Sequence, residues 1–315
     1  LTAAVETDRI DKRYGSRVAL ESLTFTVQAG EVLGVLGPNG AGKTTAIRVL
    51  TTVIPPDRGS FSVAGVPCTR PADIRRLVGV LPESAGYPER QTGEEYLRYF
   101  ARLFGHSRTG ARAVAEALLT QVGLAERGRS LIGGYSRGMR QRLGIARALV
   151  NDPRVVFLDE PTLGLDPAGQ RQVLGLVRRI SAERGATVLL STHLLAEVEE
   201  VCSRVVILNR GRVVAEGTVS EIAHRAAAPR TATLRVAAED AERACQTLAA
   251  SPGIVRVEPA GGQPGSLLAT LDGDSSAAAL NDGLRALVDA EVPLLAFELE
   301  GARLSDAFLA MTEEA

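Results

Sequence analysis

The stretch Val32-Leu33-Gly34-Val35-Leu36 running into Gly37-Pro38-Asn39-Gly40-Ala41-Gly42-Lys43-Thr44 constrains this chain more than any other. An apolar run without alternation reads as a strand buried on both faces. Gly37–Thr44 fits GxxxxGK[ST], and Thr44–Thr52 then reads as a helix that Pro55, Pro56 and Gly59 end. A strand that passes through a glycine-rich turn into a helix predicts an α/β fold with a mostly parallel sheet. The turn itself predicts a phosphate site. Glycines let backbone N–H groups turn inward around a β-phosphate, and the helix N-terminus adds a favourable dipole. Lys43 is expected on the β- and γ-phosphates, Thr44 on Mg2+ and Thr45 on the α-phosphate. The loop alone does not choose among nucleotide-hydrolysing families.

Strand–helix alternation continues along the chain. Strands are expected at Val5–Ile10, Val18–Val27, Phe61–Val63, Leu77–Leu81, Val155–Leu158, Thr187–Ser191 and Val205–Leu208, with a closing hairpin through Asn209–Gly211. Residues 84–150 have helical spacing at Glu94–Phe104, Ala111–Val122 and Met139–Leu149, which predicts an inserted helical subdomain. Helices are also expected at Gln170–Glu183 and Leu195–Cys202. The pattern breaks at His224–Arg230, read as a linker, so one domain is expected over 1–224 and a second over 231–315. The tail reads β, α, β, β, α, β (Thr233–Val236, Asp240–Ala249, Ile254–Glu258, Leu267–Leu271, Ser275–Ala290, Leu294–Leu299). That is the order of a small α+β ferredoxin-like module, followed by a short helix at Leu304–Met311.

The strand Val155–Leu158 ends in Asp159-Glu160. A strand end beside a phosphate loop is where an α/β sheet places a nucleotide. Asp159 is expected to hold Mg2+ and Glu160 to polarise the attacking water.

Three further pieces carry a resemblance. Tyr135-Ser136-Arg137-Gly138-Met139-Arg140-Gln141-Arg142 stands one helix before Val155, Pro161-Thr162-Leu163-Gly164-Leu165-Asp166 follows the acidic pair, and His193 follows Thr187–Ser191. In this order they resemble the signature, D-loop and switch histidine of the ATP-binding subunits of ABC transporters. The resemblance spans roughly residues 5–220. It implies a P-loop NTPase (RecA-like) cassette with a helical subdomain that binds and hydrolyses ATP with Mg2+. It also implies a head-to-tail homodimer in which Ser136 and Gly138 of one copy contact the γ-phosphate held by the other. His193 is implied to bind the γ-phosphate and orient water near Glu160, Asp166 to lie at the dimer seam, and Tyr14 to stack on adenine. Asn39, Gly40 and Gly42 complete the implied loop contacts.

Two departures stand out. Tyr135, Arg137 and Met139 replace the usual Leu, Gly and Gln of the signature, and Glu83 replaces the usual Gln that ligates Mg2+ and links to the membrane subunit. These variants, and the ending Leu304-Ser305-Asp306-Ala307-Phe308-Leu309, resemble the ABC-2-type exporter ATPases of the sodium-export and daunorubicin-resistance groups. The implied role is powering a separate membrane permease, as in multidrug export, from the cytoplasmic face of the membrane.

Two alternatives stand beside it: a soluble ABC ATPase acting on ribosomes or DNA, and an ATP-binding switch with little hydrolysis. Against the first, the net charge is -1 and Lys43–Ser136 carries no long coiled-coil insert, so no nucleic-acid partner is expected. Against the second, Glu160 and His193 are both present. No run approaches the roughly 18–20 apolar residues of a membrane helix, so any membrane part is expected on another chain. Leu1 in place of methionine predicts a trimmed start. The three cysteines (Cys68, Cys202, Cys245) are too scattered for a disulfide framework or metal cluster.

Overall fold

The computed structural model describes residues 3–225, 231–260, 264–272, 276–300 and 308. They form two compact units, one ending at Val219 and the other beginning at Ser220.

The first unit is built on a six-stranded sheet. Its strands are β4 (Val32–Leu36), β7 (Val78–Leu81), β8 (Val155–Asp159), β9 (Thr187–Thr192), β10 (Arg204–Asn209) and β11 (Arg212–Thr218), in the order β11-β10-β4-β9-β8-β7. All pairs are parallel except the β10–β11 hairpin. Every residue of β4, β8 and β9 is buried, because helices or a second sheet cover both faces. Alternate residues feed opposite cores. Val156, Leu158, Val188 and Leu190 pack with the helical side, whereas Val155, Phe157 and Leu189 pack with the other.

That other side holds α1 (Lys43–Leu50) and an antiparallel sheet of β1 (Ala3–Tyr14), β2 (Arg17–Leu23), β3 (Thr26–Gln28), β5 (Arg58–Val63) and β6 (Val66–Pro67). The expected single strand Val18–Val27 is broken at Thr24–Phe25. Ser22 takes a left-handed φ of 50°, and the Thr7 hydroxyl holds Phe25 by donating to its carbonyl (3.0 Å) and accepting from its N–H (2.7 Å). A short helix, α2 (Pro71–Leu77), occupies a segment in which the sequence reading placed none. Pro71 opens it at a position where the missing N–H is harmless.

The helical side contains α3 (Gly93–Leu103), α4 (Arg108–Gln121), α5 (Arg137–Ala148), α6 (Pro167–Arg184) and α7 (Leu195–Val201). Their starts are chemically marked. Thr92 and Glu95 form a reciprocal capping box, and Ser107, Ser136 and Asp166 each accept an N–H of the following turn. Gly185 ends α6 in left-handed geometry.

In the second unit, β12 (Thr231–Val236), α9 (Ala241–Ala249), β13 (Ile254–Pro259), β14 (Ser266–Leu271), α10 (Ser276–Asp289) and β15 (Leu294–Glu300) follow the βαββαβ order. The sheet is antiparallel, ordered β13-β14-β12-β15, which is the ferredoxin-like arrangement. Its core is Ala232, Leu234, Val236, Leu248, Ala269 and Leu287. Where a linker was read from His224, helix α8 (Val219–Arg225) continues through Arg225, and 226–230 lie outside the described residues. The helix expected at Leu304–Met311 also lies outside them, apart from Phe308, which is helical.

Candidate active site

Four parallel strands deliver their carboxyl ends to one edge of the sheet. Gly37 follows Leu36 of β4, Glu160 follows Asp159 of β8, His193 follows Thr192 of β9, and Glu83 lies just beyond Leu81 of β7. Register sets them side by side, since Leu36 pairs with Thr192 and Asp159 with Ser191. A cavity of about 590 Å3 opens there.

The loop Gly37–Gly42 wraps its floor. Gly42 caps α1 at φ 110°, and a Cβ on it would stand 2.6 Å from the Ala19 carbonyl; one on Gly37 would stand 2.5 Å from the Leu208 carbonyl. No side chain fits either position. The Lys43 ammonium is buried, donates to the Gly37 carbonyl at 2.6 Å and pairs with Glu160 Oε1 at 3.3 Å. Each charge offsets the burial cost of the other.

Asp159 is buried at the end of β8, and Thr44 Oγ1 (3.2 Å) and Ser191 Oγ (2.6 Å) both donate to its Oδ1. Ser191 also accepts the Glu160 backbone N–H at 3.0 Å, so one hydroxyl ties the Asp159 carboxylate and the Glu160 backbone to β9. Glu160 holds a left-handed φ of 47°, a conformation that costs about 1–3 kcal/mol and turns its side chain off the strand end into the cleft. Its Oε2 meets His193 Nδ1 at 2.9 Å. The backbone around His193 is fixed in turn. Thr192 Oγ1 donates to the buried Glu197 carboxylate at 2.7 Å and accepts the Leu194 N–H at 3.0 Å.

Tyr14, Asn39, Gly40, Gly42, Lys43, Thr44, Thr45, Glu83, Glu160 and His193 all line the cavity. Tyr14 is 46% exposed, at the rim. Gly37 and Asp159 stand behind the lining, bonded to it through Lys43 and Thr44. Ser136, Gly138 and Asp166 do not line this cavity. Ser136 and Asp166 are exposed, and each accepts a helical N–H, from Met139 (3.2 Å) and Gly169 (3.0 Å).

Two of the three signature departures, Tyr135 and Arg137, have physical partners. The Tyr135 hydroxyl donates to the Arg127 carbonyl at 2.7 Å and fills the space beside Gly93, where a Cβ would come within 2.5 Å of it. The Arg137 guanidinium lies over Gly164, 2.6 Å from where a Cβ would be. Sequence reasoning missed Arg17, Ala19 and Leu163 on the cavity wall and Ser191 behind it. A serine near the end of an otherwise apolar strand was the only local sign of Ser191.

Thr44 and Asp159 bring hard oxygen donors together, while no group of three metal-ligating side chains occurs among the described residues. That donor set fits Mg2+, which takes one or two protein oxygens and completes its shell from phosphates and water.

A family model described as "ABC transporter" matches residues 20–163. The chain is 44% identical over 220 residues to the daunorubicin resistance ATP-binding protein DrrA3 of Streptomyces coeruleorubidus, covering 70% of this chain and 69% of that one. It is 42% identical to the Nod factor export ATP-binding protein I of Burkholderia lata over 68% of this chain and 71% of that one. Among solved structures, an ATP-binding subunit of an ABC transporter superposes with a TM-score of 0.63 at 35% identity, over 70% of this chain and 92% of its own. A dimeric ATP-binding cassette in a post-hydrolysis state with ADP and Pi shares the fold (TM-score 0.63, 24% identity, 68% of this chain and 98% of that one). With the phosphate loop, the acidic pair and the histidine gathered at one sheet edge, the chain belongs to the ABC transporter family of ATP-binding, ATP-hydrolysing subunits.

Proposed function

We propose that this ABC-family ATPase powers export through a separate membrane permease, and that a second copy of the chain completes its active site. The observation that carries this reading is a division of the motif residues. Lys43, Glu160 and His193 meet in one cavity with Asp159 behind it, while Ser136 stands outside. An exposed signature serine at the start of its helix, outside the cavity of its own chain, suits the pocket of a partner.

The roles follow from position. Tyr14 would stack on the base at the rim. The backbone N–H groups of Gly37–Gly42 would cradle the phosphates, with Asn39 at the tip of the loop. Lys43 would exchange part of its contact with Glu160 for phosphate oxygens, and Thr45 would reach the α-phosphate. Thr44 and Asp159, with Glu83 from the rim, would hold Mg2+, whose charge neutralises that building on the phosphates. Glu160, freed from Lys43, would take the proton of the attacking water while His193 holds the carboxylate in place and reaches the γ-phosphate. Ser136 and Gly138 would contact the γ-phosphate on the partner copy, and Asp166 would lie along the seam.

Among the described residues no helix is long and apolar enough to cross a membrane. In this reading the chain is a peripheral subunit at the cytoplasmic face of the membrane, bound to a permease on another chain. The relatives named above are a drug-resistance and an export protein, so a ribosome- or DNA-acting ATPase is not favoured. The test is phosphate release by the purified chain and by Glu160→Gln. General-base loss should lower turnover by about 100-fold or more with ATP binding retained; unchanged turnover refutes the assigned base.

A further inference from the structure

Resting on that nucleotide-binding reading, we infer that Arg17 is a further nucleotide-contacting residue, whose guanidinium faces the phosphates and offsets the charge of Glu83. Arg17 opens β2 directly opposite Tyr14, its Cα partner across the hairpin, so the two side chains rise from the same edge of the cavity. Nη2 of Arg17 reaches the tip of the phosphate loop, 3.3 Å from where a Cβ on Gly40 would stand. It thus lies between the rim residue that suits a base and the loop that suits phosphates.

The cation is free to take an anion. Two acids close to Arg17 in the hairpin sheet have partners of their own, Asp57 with Lys12 at 2.8 Å and Glu21 with Arg212 at 2.6 Å. Among the described residues Arg17 itself makes no ion pair. The other cation of the cavity, Lys43, is held by Glu160.

The charge balance of the wall gives this position its weight. Arg17 and Lys43 face Glu83 and Glu160, so the lining side chains cancel, leaving His193 aside. Without Arg17 the wall is net negative, a poor reception for a polyphosphate. The carboxylate that tips the balance is Glu83, which stands where the resemblance leads one to expect an uncharged Gln. A guanidinium is well suited to the compensating task because its planar fork matches phosphate oxygens.

The experiment measures ADP binding to the full chain by titration calorimetry, for the unmodified protein and for R17A, R17K, R17A/E83Q and K43A, at low and high salt. Arg17 is exposed on a hairpin, so its removal should leave the melting temperature unchanged. R17A should weaken ADP about fivefold at low salt, with a smaller defect at high salt, as expected for a partly exposed charge contact. R17K should retain most of the affinity, and R17A/E83Q should recover most of the loss. ADP affinity unchanged in R17A overturns the inference, as does a defect that neither salt nor E83Q alters. If the unmodified chain binds ADP and K43A does not, the nucleotide reading stands whatever R17A does; no binding by the unmodified chain sinks both.

Discussion

Ser191→Ala probes the part of the site that is least visible from its motifs. The hydroxyl is fully buried, donates to Asp159 Oδ1 at 2.6 Å and accepts the Glu160 N–H at 3.0 Å. The second bond matters less, because the same N–H also donates to the Ser191 backbone carbonyl at 3.1 Å, which alanine keeps. The first is the costly loss. Asp159 is only 2% exposed, so water cannot replace the missing donor, and Thr44 remains at the longer distance of 3.2 Å. A hydrogen bond to a charged acceptor is worth about 1.5–3 kcal/mol. At roughly 2–4 °C per kcal/mol for a unit of this size, melting should fall by about 3–12 °C. Asp159 would also be less firmly aimed, so the Mg2+ needed for half-maximal turnover should rise. Ser191→Thr keeps a hydroxyl and serves as the control. Thermal unfolding followed by circular dichroism, with a Mg2+ titration of phosphate release, measures both effects. Melting within 1 °C of the unmodified protein together with an unchanged Mg2+ requirement would refute the assigned role; the 1 °C margin is roughly a third of the smallest expected shift.

Two more outcomes follow from residues around the helical side. Tyr87 has a buried hydroxyl with no hydrogen-bond partner, and burial pushes its pKa up to about 12. The neutral form is favoured in the folded state, so its contribution is fully present below the ordinary value of 10 and is lost as pH rises through about 12. Tyr87→Phe should flatten that alkaline decline and raise the urea midpoint at neutral pH, by about 1 kcal/mol of stability, because no bond is lost. Gly93→Ala should destabilise the unit by about 1–3 kcal/mol through overpacking against the Tyr135 hydroxyl, and Tyr135→Phe in the same chain should restore part of it. Additive losses in that double-mutant cycle would show that the two sites do not communicate.

The parts of the fold legible in the sequence are those that local physics decides. Val32–Leu36 could only be a doubly buried strand, and the close approach of Leu208 and Ala19 to the loop shows why Gly37 and Gly42 stand there. Lys43, Asp159, Glu160 and His193 could be named because each follows a recognisable strand, and the parallel register then brings them together. What could not be read depends on contacts far apart in the chain. Ser191 gains its meaning only from the register that sets it against Asp159. Arg17 looks like any turn arginine until its hairpin folds over Gly40. The break after Leu23 depends on Thr7, and α2 is too short to show periodicity beyond the signal of Pro71. Glu160's left-handed backbone has no sequence marker, since the residue is not glycine.

The central claim is that one chain supplies Lys43 and Glu160 while another supplies Ser136 to the same nucleotide. It is tested most directly by the solution mass of Glu160→Gln with ATP and Mg2+, measured by light scattering beside Glu160→Gln/Ser136→Ala. The first protein should form a stable species of twice the 33.2 kDa chain mass, and the second should run at the monomer mass. A Glu160→Gln chain that binds ATP but stays monomeric, or a dimer indifferent to Ser136, would contradict it.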